Sequence, residues 1–169
     1  MRKKSSPVTL PLFKEDKETL DFMLNYLIKS QDEEYAKKHN IRPGVGLAAI
    51  QIGLLKRMFV IYYQTSENEV VQYQLVNPRM LETSVKKCAL ESGEGCLSVD
   101  VDHKGLVHRY YKIKLAAFDA LTNKDVIITA QGYDAIVLQH EYDHLDGIFY
   151  YDRINPNNAD KPLPNEEIL

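Results

Sequence analysis

Apolar residues recur at helical spacing at Leu20, Met23, Leu24, Leu27 and Ile28, while Lys17, Asp21, Asn25 and Lys29 take the opposite face. The pattern predicts an amphipathic surface helix, capped by Asp16 and running on through the charged stretch from Gln31 to His39. Pro43 ends it. From Arg57 onward the chain changes to extended patterning. Segments 58–63, 70–76 and 80–85 are rich in β-branched and aromatic residues and are separated by polar turns such as Thr65-Ser66-Glu67-Asn68. Segments 106–117 and 126–130 continue the series on either side of a turn at 119–124. The middle of the chain therefore reads as antiparallel hairpins. A second helix is expected over Tyr133–Leu145, closed by Gly147, with Tyr133, Val137, His140, Glu141 and His144 on one inward face. Residues 1–15 read as an extended entry segment, and 154–169, with Pro156, Pro162 and Pro164, as an extended polar tail.

These elements predict an α+β fold: antiparallel β-sheets packed around a central helix that carries an H-E-x-x-H pattern, with a second, N-terminal helix. A length of 169 residues fits a single domain over 1–169 with room for a core. The composition, 44% hydrophobic and 27% charged, is that of an ordinary globular chain. A net charge of -3 and the lack of a basic stripe argue against nucleic-acid binding. No segment approaches the ~20 apolar residues that would span a bilayer, and Pro7 and Pro11 interrupt any signal-like start, so no membrane partner is expected and the cytoplasm is the default location. Two cysteines, Cys88 and Cys96, are too few for a disulfide scaffold, which leaves a thiol available as a ligand.

The chemistry concentrates at His140-Glu141-Tyr142-Asp143-His144. On a helix, a spacing of four places both imidazoles one turn apart on one face, where they converge on a single metal, with Glu141 beside it to take a proton from water. A catalytic metal needs a third protein ligand. No histidine follows His144, and the only later glutamates, Glu166 and Glu167, lie in the proline-rich tail. The ligand is therefore sought upstream, at Cys96 within Glu91-Ser92-Gly93-Glu94-Gly95-Cys96-Leu97-Ser98. His39, His103 and His108 are read as solvated or packed residues. Gly44 to Ala49 formally fits G-x-G-x-x-A, but no strand precedes it, so a phosphate loop is disfavoured; Gln51 is a lone polar residue in apolar company. Two rival readings remain at this level: a zinc endopeptidase of the H-E-x-x-H type, and a metal-stabilised binding module in which Glu141 is incidental.

With Gly44-Val45-Gly46-Leu47-Ala48-Ala49-Ile50-Gln51, Glu94-Gly95-Cys96-Leu97-Ser98 and Gln139-His140-Glu141-Tyr142-Asp143-His144-Leu145-Asp146-Gly147 in this order, the chain resembles the peptide deformylases. The resemblance runs from about the first helix to about Arg153. It implies a hydrolase that removes the formyl group from the formylmethionine of newly made polypeptides and releases formate. It further implies a divalent metal on Cys96, His140 and His144, ferrous by family precedent, with zinc, nickel or cobalt able to substitute. Glu141 is then the acid/base, and Gln51 and the Leu97 N–H donate to the oxyanion. Val45, Gly46 and Gly95 bind the substrate backbone, Tyr133, Ile136 and Val137 line the methionine pocket, and Glu94 pairs with Arg109 behind the metal. The segment from Asp100 to Gly105 resembles the longer loop of a branch typical of Gram-positive bacteria and their wall-less relatives. Nascent formyl-Met chains are the implied partner. Transient proximity to the ribosome follows from that substrate, although the C-terminus lacks the long basic helix that some bacterial members extend toward it.

Overall fold

The computed structural model describes residues 1–169. Leu20, Met23, Leu24 and Leu27 form the buried face of α1 (Lys14–Ser30), while Ile28 stays exposed. Asp16 is not the cap. The helix begins three residues earlier than such a cap would set, after Phe13, and Asp16 is a buried first-turn acid paired with Lys56. In that place its carboxylate still favours the helix N-terminus through the dipole. Nor does α1 continue to His39. Asp32 starts a separate helix, α2 (Glu33–His39), by accepting from the Tyr35 N–H at 2.8 Å, and Asn40 ends it in a left-handed conformation, φ 52°. Local capping overrides the charged helical pattern here.

Eight strands follow the chain: β1 (Gly46–Ala48), β2 (Met58–Gln64), β3 (Val70–Thr83), β4 (Lys87–Ala89), β5 (Arg109–Tyr110), β6 (Lys112–Asp119), β7 (Lys124–Gln131) and β8 (Glu167–Ile168). Five of them form an antiparallel sheet in the order β1-β2-β3-β6-β7. The segments 70–76 and 80–85, expected as two strands, are one strand with a bulge. Pro78 cannot donate to a ladder, so the register shifts between Val76 and Arg79 and Asn77 takes φ 51°. The Asn77 side chain then accepts from the Val8 N–H (2.7 Å) and donates to its carbonyl (2.8 Å), which docks the entry segment on the bulge.

The expected strand over 106–117 is divided as well. Its first part, β5, pairs with β4, and the chain crosses to the large sheet only at Lys112. The second sheet runs β5-β4-β8, with β8 parallel to β4, so the strands are not all antiparallel and the tail ends in a ladder.

The second predicted helix, α3, has its expected bounds, Tyr133–Leu145. Gly147 follows with φ 73°, and a Cβ there would lie 2.5 Å from the Arg2 carbonyl oxygen. Strand β2 shows why α3 is central. Phe59, Ile61 and Tyr63 point into the core shared with Val137, Leu138 and Leu145 of α3, whereas Met58 and Val60 point into the core under α1. A period-two strand buried on both faces makes a helix–sheet–helix sandwich. Gln139 of α3 also closes the open edge of β5, accepting from the Tyr110 N–H (3.0 Å) and donating to the Tyr110 carbonyl (2.8 Å).

Candidate active site

A cleft of about 440 Å³ opens between β1, the loop carrying Cys96 and the middle of α3. Of the residues singled out from sequence, Val45, Gly46, Gln51, Glu94, Gly95, Cys96, Leu97, Tyr133, Ile136, Val137, His140 and Glu141 all line it. His144 and Arg109 do not. Both are buried behind its wall, His144 with Nε2 turned to Cys96 and Arg109 against Glu94.

Cys96, His140 and His144 bring one ligand atom each to within 4.8 Å of one another. Ligands on a four-coordinate ion stand roughly 3.5 Å apart for thiolate and imidazole. Sγ of Cys96 lies 3.3 Å from Nε2 of His144, so the donor set and its spacing fit a divalent metal. The ring orientation fits too. Nδ1 of His140 is 2.8 Å from Oε2 of Glu94, which occupies the far nitrogen and leaves Nε2 for the centre. Without an ion, burial lowers the His140 pKa, but hydrogen bonds with Cys96 and Glu94 outweigh it and bring it up to about 10. Burial instead lowers His144 to about 3, assisted by the neighbouring His140, so this ring is neutral and able to ligate.

Behind the histidines stands a charged network. Arg109, 1% exposed, makes two bonds of 2.8 Å to Glu94, and its remaining nitrogen reaches Asp143 at 2.6 Å. Arg153 closes the network on Asp143. Burial alone would raise Glu94, yet the Arg109 guanidinium holds it well below the usual carboxylate range, at about 2. The Glu94–Arg109 pair is the one the resemblance implied. Asp143 and Arg153 were missed as its partners. Asp143 stood inside the H-E-x-x-H pattern, where its placement between the two histidines was a usable signal; Arg153 offered none.

Glu141 is buried (4% exposed), and its Oε2 has no hydrogen-bond partner. Burial raises its pKa to about 7 against the pull of His140 and Arg109. A carboxyl poised in this way beside a ligand set suits proton transfer near neutral pH. The backbone of β1 is packed against it: a Cβ on Gly46 would lie 2.2 Å from Oε1 and 2.6 Å from Cδ of Glu141. Gly46→Ala is therefore expected to displace the carboxylate and lower kcat at least 100-fold with the helix retained, which turnover measured beside far-UV CD will show; a kcat within threefold of wild type would refute the contact's role.

Gln51 lies in a short 3-10 turn over Ala49–Ile52. Its Oε1 accepts from the Ala48 N–H at 2.8 Å, and its Nε2 donates to Ser98 Oγ at 2.9 Å with Cys96 Sγ at 3.7 Å. The amide is thus turned so that its NH₂ faces the cysteine loop. Ser98 was overlooked in the sequence because a serine ending a motif carries no periodic signal. The Leu97 N–H has no acceptor in the chain. Strand β1 is the edge of its sheet; the Val45 carbonyl is taken by the Tyr62 N–H (2.9 Å), while the Val45 N–H remains unpaired. Ile136 and Val137 are buried under the cleft and Tyr133 is exposed at its rim.

The other histidines stay outside. His39 stacks on Tyr35 at the surface, and His103 stacks on Tyr151. His108 is neither solvated nor in a strand: its Nδ1 meets Glu166 of the tail at 2.7 Å.

Comparison with known proteins bears on this site. The family model described as polypeptide deformylase matches residues 1–160. The peptide deformylase of Staphylococcus epidermidis (strain RP62A) is 47% identical over 163 residues, which is 96% of this chain and 88% of that protein. That of Shouchella clausii is 48% identical over 166 residues, 97% of this chain and 90% of the relative. Among solved structures, the peptide deformylase from Thermus thermophilus superposes with a TM-score of 0.70 at 31% identity, covering 92% of this chain and 80% of that one. A probable peptide deformylase from a Synechococcus phage does so with a TM-score of 0.71 at 34% identity, covering 90% of this chain and 92% of that one.

Proposed function

The chain belongs to the polypeptide deformylase family, and from that premise we propose how its residues divide the work. The enzyme is a metal-dependent hydrolase that removes the N-formyl group from nascent polypeptides and releases formate. The observation that carries the assignment of roles is the convergence of Cys96, His140 and His144 beside the unpaired Oε2 of Glu141.

The Cys96 thiolate and the Nε2 atoms of His140 and His144 would hold the metal, with Glu94 accepting from Nδ1 of His140. When bound, a divalent ion there supplies Lewis-acid polarisation and acidifies water. Glu141 accepts a proton from the attacking water at its carboxylate and later delivers it to the amine of the departing methionine. One C–N bond breaks, one C–O bond forms, and the products are formate and a free N-terminus. As the formyl oxygen gains negative charge, Nε2–H of Gln51 and the Leu97 N–H donate to it. The substrate backbone adds to the free edge of β1 through Val45 and Gly46 and meets Gly95 across the cleft. Tyr133, Ile136 and Val137 cover the methionine side chain.

The ligand set of one thiolate and two imidazoles suits ferrous iron as well as zinc, nickel or cobalt; the metal of this reading is iron. Residues 1–169 act as one catalytic unit, with 154–169 as its polar closing segment. The enzyme works in the cytoplasm, near the ribosome, on chains as they emerge. No helix is long and apolar enough to cross a membrane.

The test is formate release from formyl-Met-Ala-Ser by protein loaded anaerobically with ferrous iron. Activity is expected under anaerobic conditions, with loss in air that nickel loading prevents, because a thiolate-bound ferrous centre is open to oxidation. Full activity of air-exposed iron protein would overturn the choice of metal.

A further inference from the structure

Arg42 lies outside the three motifs, between α2 and Pro43, and lines the cleft. Its guanidinium gathers three carbonyls of the cysteine loop. Nη2 donates to Leu97 (3.0 Å), Val99 (3.1 Å) and Cys96 (3.4 Å), and Nη1 donates to Val99 (3.2 Å). The Cys96 carbonyl also accepts from the Val99 N–H at 3.1 Å, which closes the loop into a turn around the cation.

The carbonyl of Cys96 and the N–H of Leu97 belong to one peptide unit. In a trans peptide these two groups point in opposite directions. A guanidinium on the carbonyl side therefore aims the N–H away from itself, and that N–H meets no acceptor in the chain. The cation also polarises the amide, which makes its N–H a stronger donor. From this we infer that Arg42 is a positioning residue for the reaction: by clamping the Cys96–Leu97 peptide it presents the Leu97 N–H to the developing oxyanion. The inference rests on the proposed role of that N–H and deepens it. It also explains why one side chain gathers three carbonyls of a single loop when any one bond would tether it.

A lysine at position 42 keeps the charge and reaches one carbonyl, whereas alanine removes both. The experiment compares wild type, Arg42→Ala, Arg42→Lys and Gln51→Ala, each loaded with nickel, on formyl-Met-Ala-Ser, with metal content and thermal midpoint measured on the same samples. Removing an oxyanion donor outright costs about 100- to 1000-fold in kcat. Misaiming one is expected to cost roughly 10- to 100-fold in Arg42→Ala, with KM within threefold of wild type and about one metal per chain, and Arg42→Lys is expected to recover part of the loss.

Unchanged kcat in Arg42→Ala overturns the inference. So does a raised KM at constant kcat, which makes Arg42 a substrate contact, or a loss of activity in proportion to lost metal, which makes it a tether for the ligand Cys96. Gln51→Ala separates the premise from the inference. If its kcat is unchanged, the oxyanion assignment fails; if it falls at least 100-fold while Arg42→Ala is normal, only the role of Arg42 fails.

Discussion

Glu141→Gln is expected to lower kcat for formate release by about 1000-fold, within the span general acid–base groups contribute, while metal content stays at the wild-type level. Glutamine preserves the shape pressed against Gly46, so the β1 backbone does not move. What is lost is a single proton acceptor whose Oε2 has no other duty in the protein. The same substitution is expected to stabilise the metal-free protein at neutral pH. Burial raises Glu141 from 4.5 to about 7. A carboxyl with a raised pKa binds more protons folded than unfolded between those values, so the wild type loses stability as pH rises through that window and the glutamine variant does not. Thermal melts in chelator at pH 4.5 and pH 7.5 will show a gap between the two proteins that opens at the higher pH. A kcat within tenfold of wild type, or a stability gap independent of pH, would remove Glu141 from the centre of the mechanism.

Much of this site is legible in the sequence because its chemistry is local along the chain. The His140–His144 spacing and the closing Gly147 are written within a few turns of one helix, and α3 runs over the expected residues, although it is buried on nearly all sides rather than along one stripe and Tyr133 is exposed. Cys96 was reachable by asking where a third ligand could come from. What was not legible depends on partners distant in the chain. Asp16 has the composition of a cap, yet its carboxylate is used by Lys56, 40 residues away, and the helix starts before it. The apolar run over 106–117 carries no mark of the point where the chain leaves one sheet for the other. Gln139, 29 residues from Tyr110, provides the missing edge bonds that make so short a β5 viable. Arg42, Ser98 and Arg153 belong to the same class: polar residues with no periodicity, whose meaning comes from carbonyls or carboxylates brought to them by the fold.

That dependence makes Arg109 the residue whose loss should travel furthest. Arg109→Met is expected to destabilise the protein by about 3–5 kcal/mol, because it leaves the buried Glu94 without its guanidinium and the buried Asp143 with Arg153 alone. For a chain of this size, that is a fall of roughly 10 °C or more in the thermal midpoint. Metal affinity should fall with it, by about 10- to 100-fold, since Glu94 orients the ring of His140 and is itself oriented by Arg109. The pH dependence gives the specific signature. Burial works to raise Glu94, but Arg109 brings it down from 4.5 to about 2. A depressed carboxylate contributes stability that is present above its unfolded pKa and lost as pH falls from 4.5 toward 2. In Arg109→Met only His140 is left to oppose burial, so the depression of Glu94 shrinks, and the variant loses less stability than the wild type as pH falls through the carboxylate range. Denaturant melts at pH 6, 4.5 and 3 on both proteins decide the matter. If the two lose stability in parallel, Glu94 and Arg109 are not coupled, and the orientation of His140 must be attributed to something other than this pair.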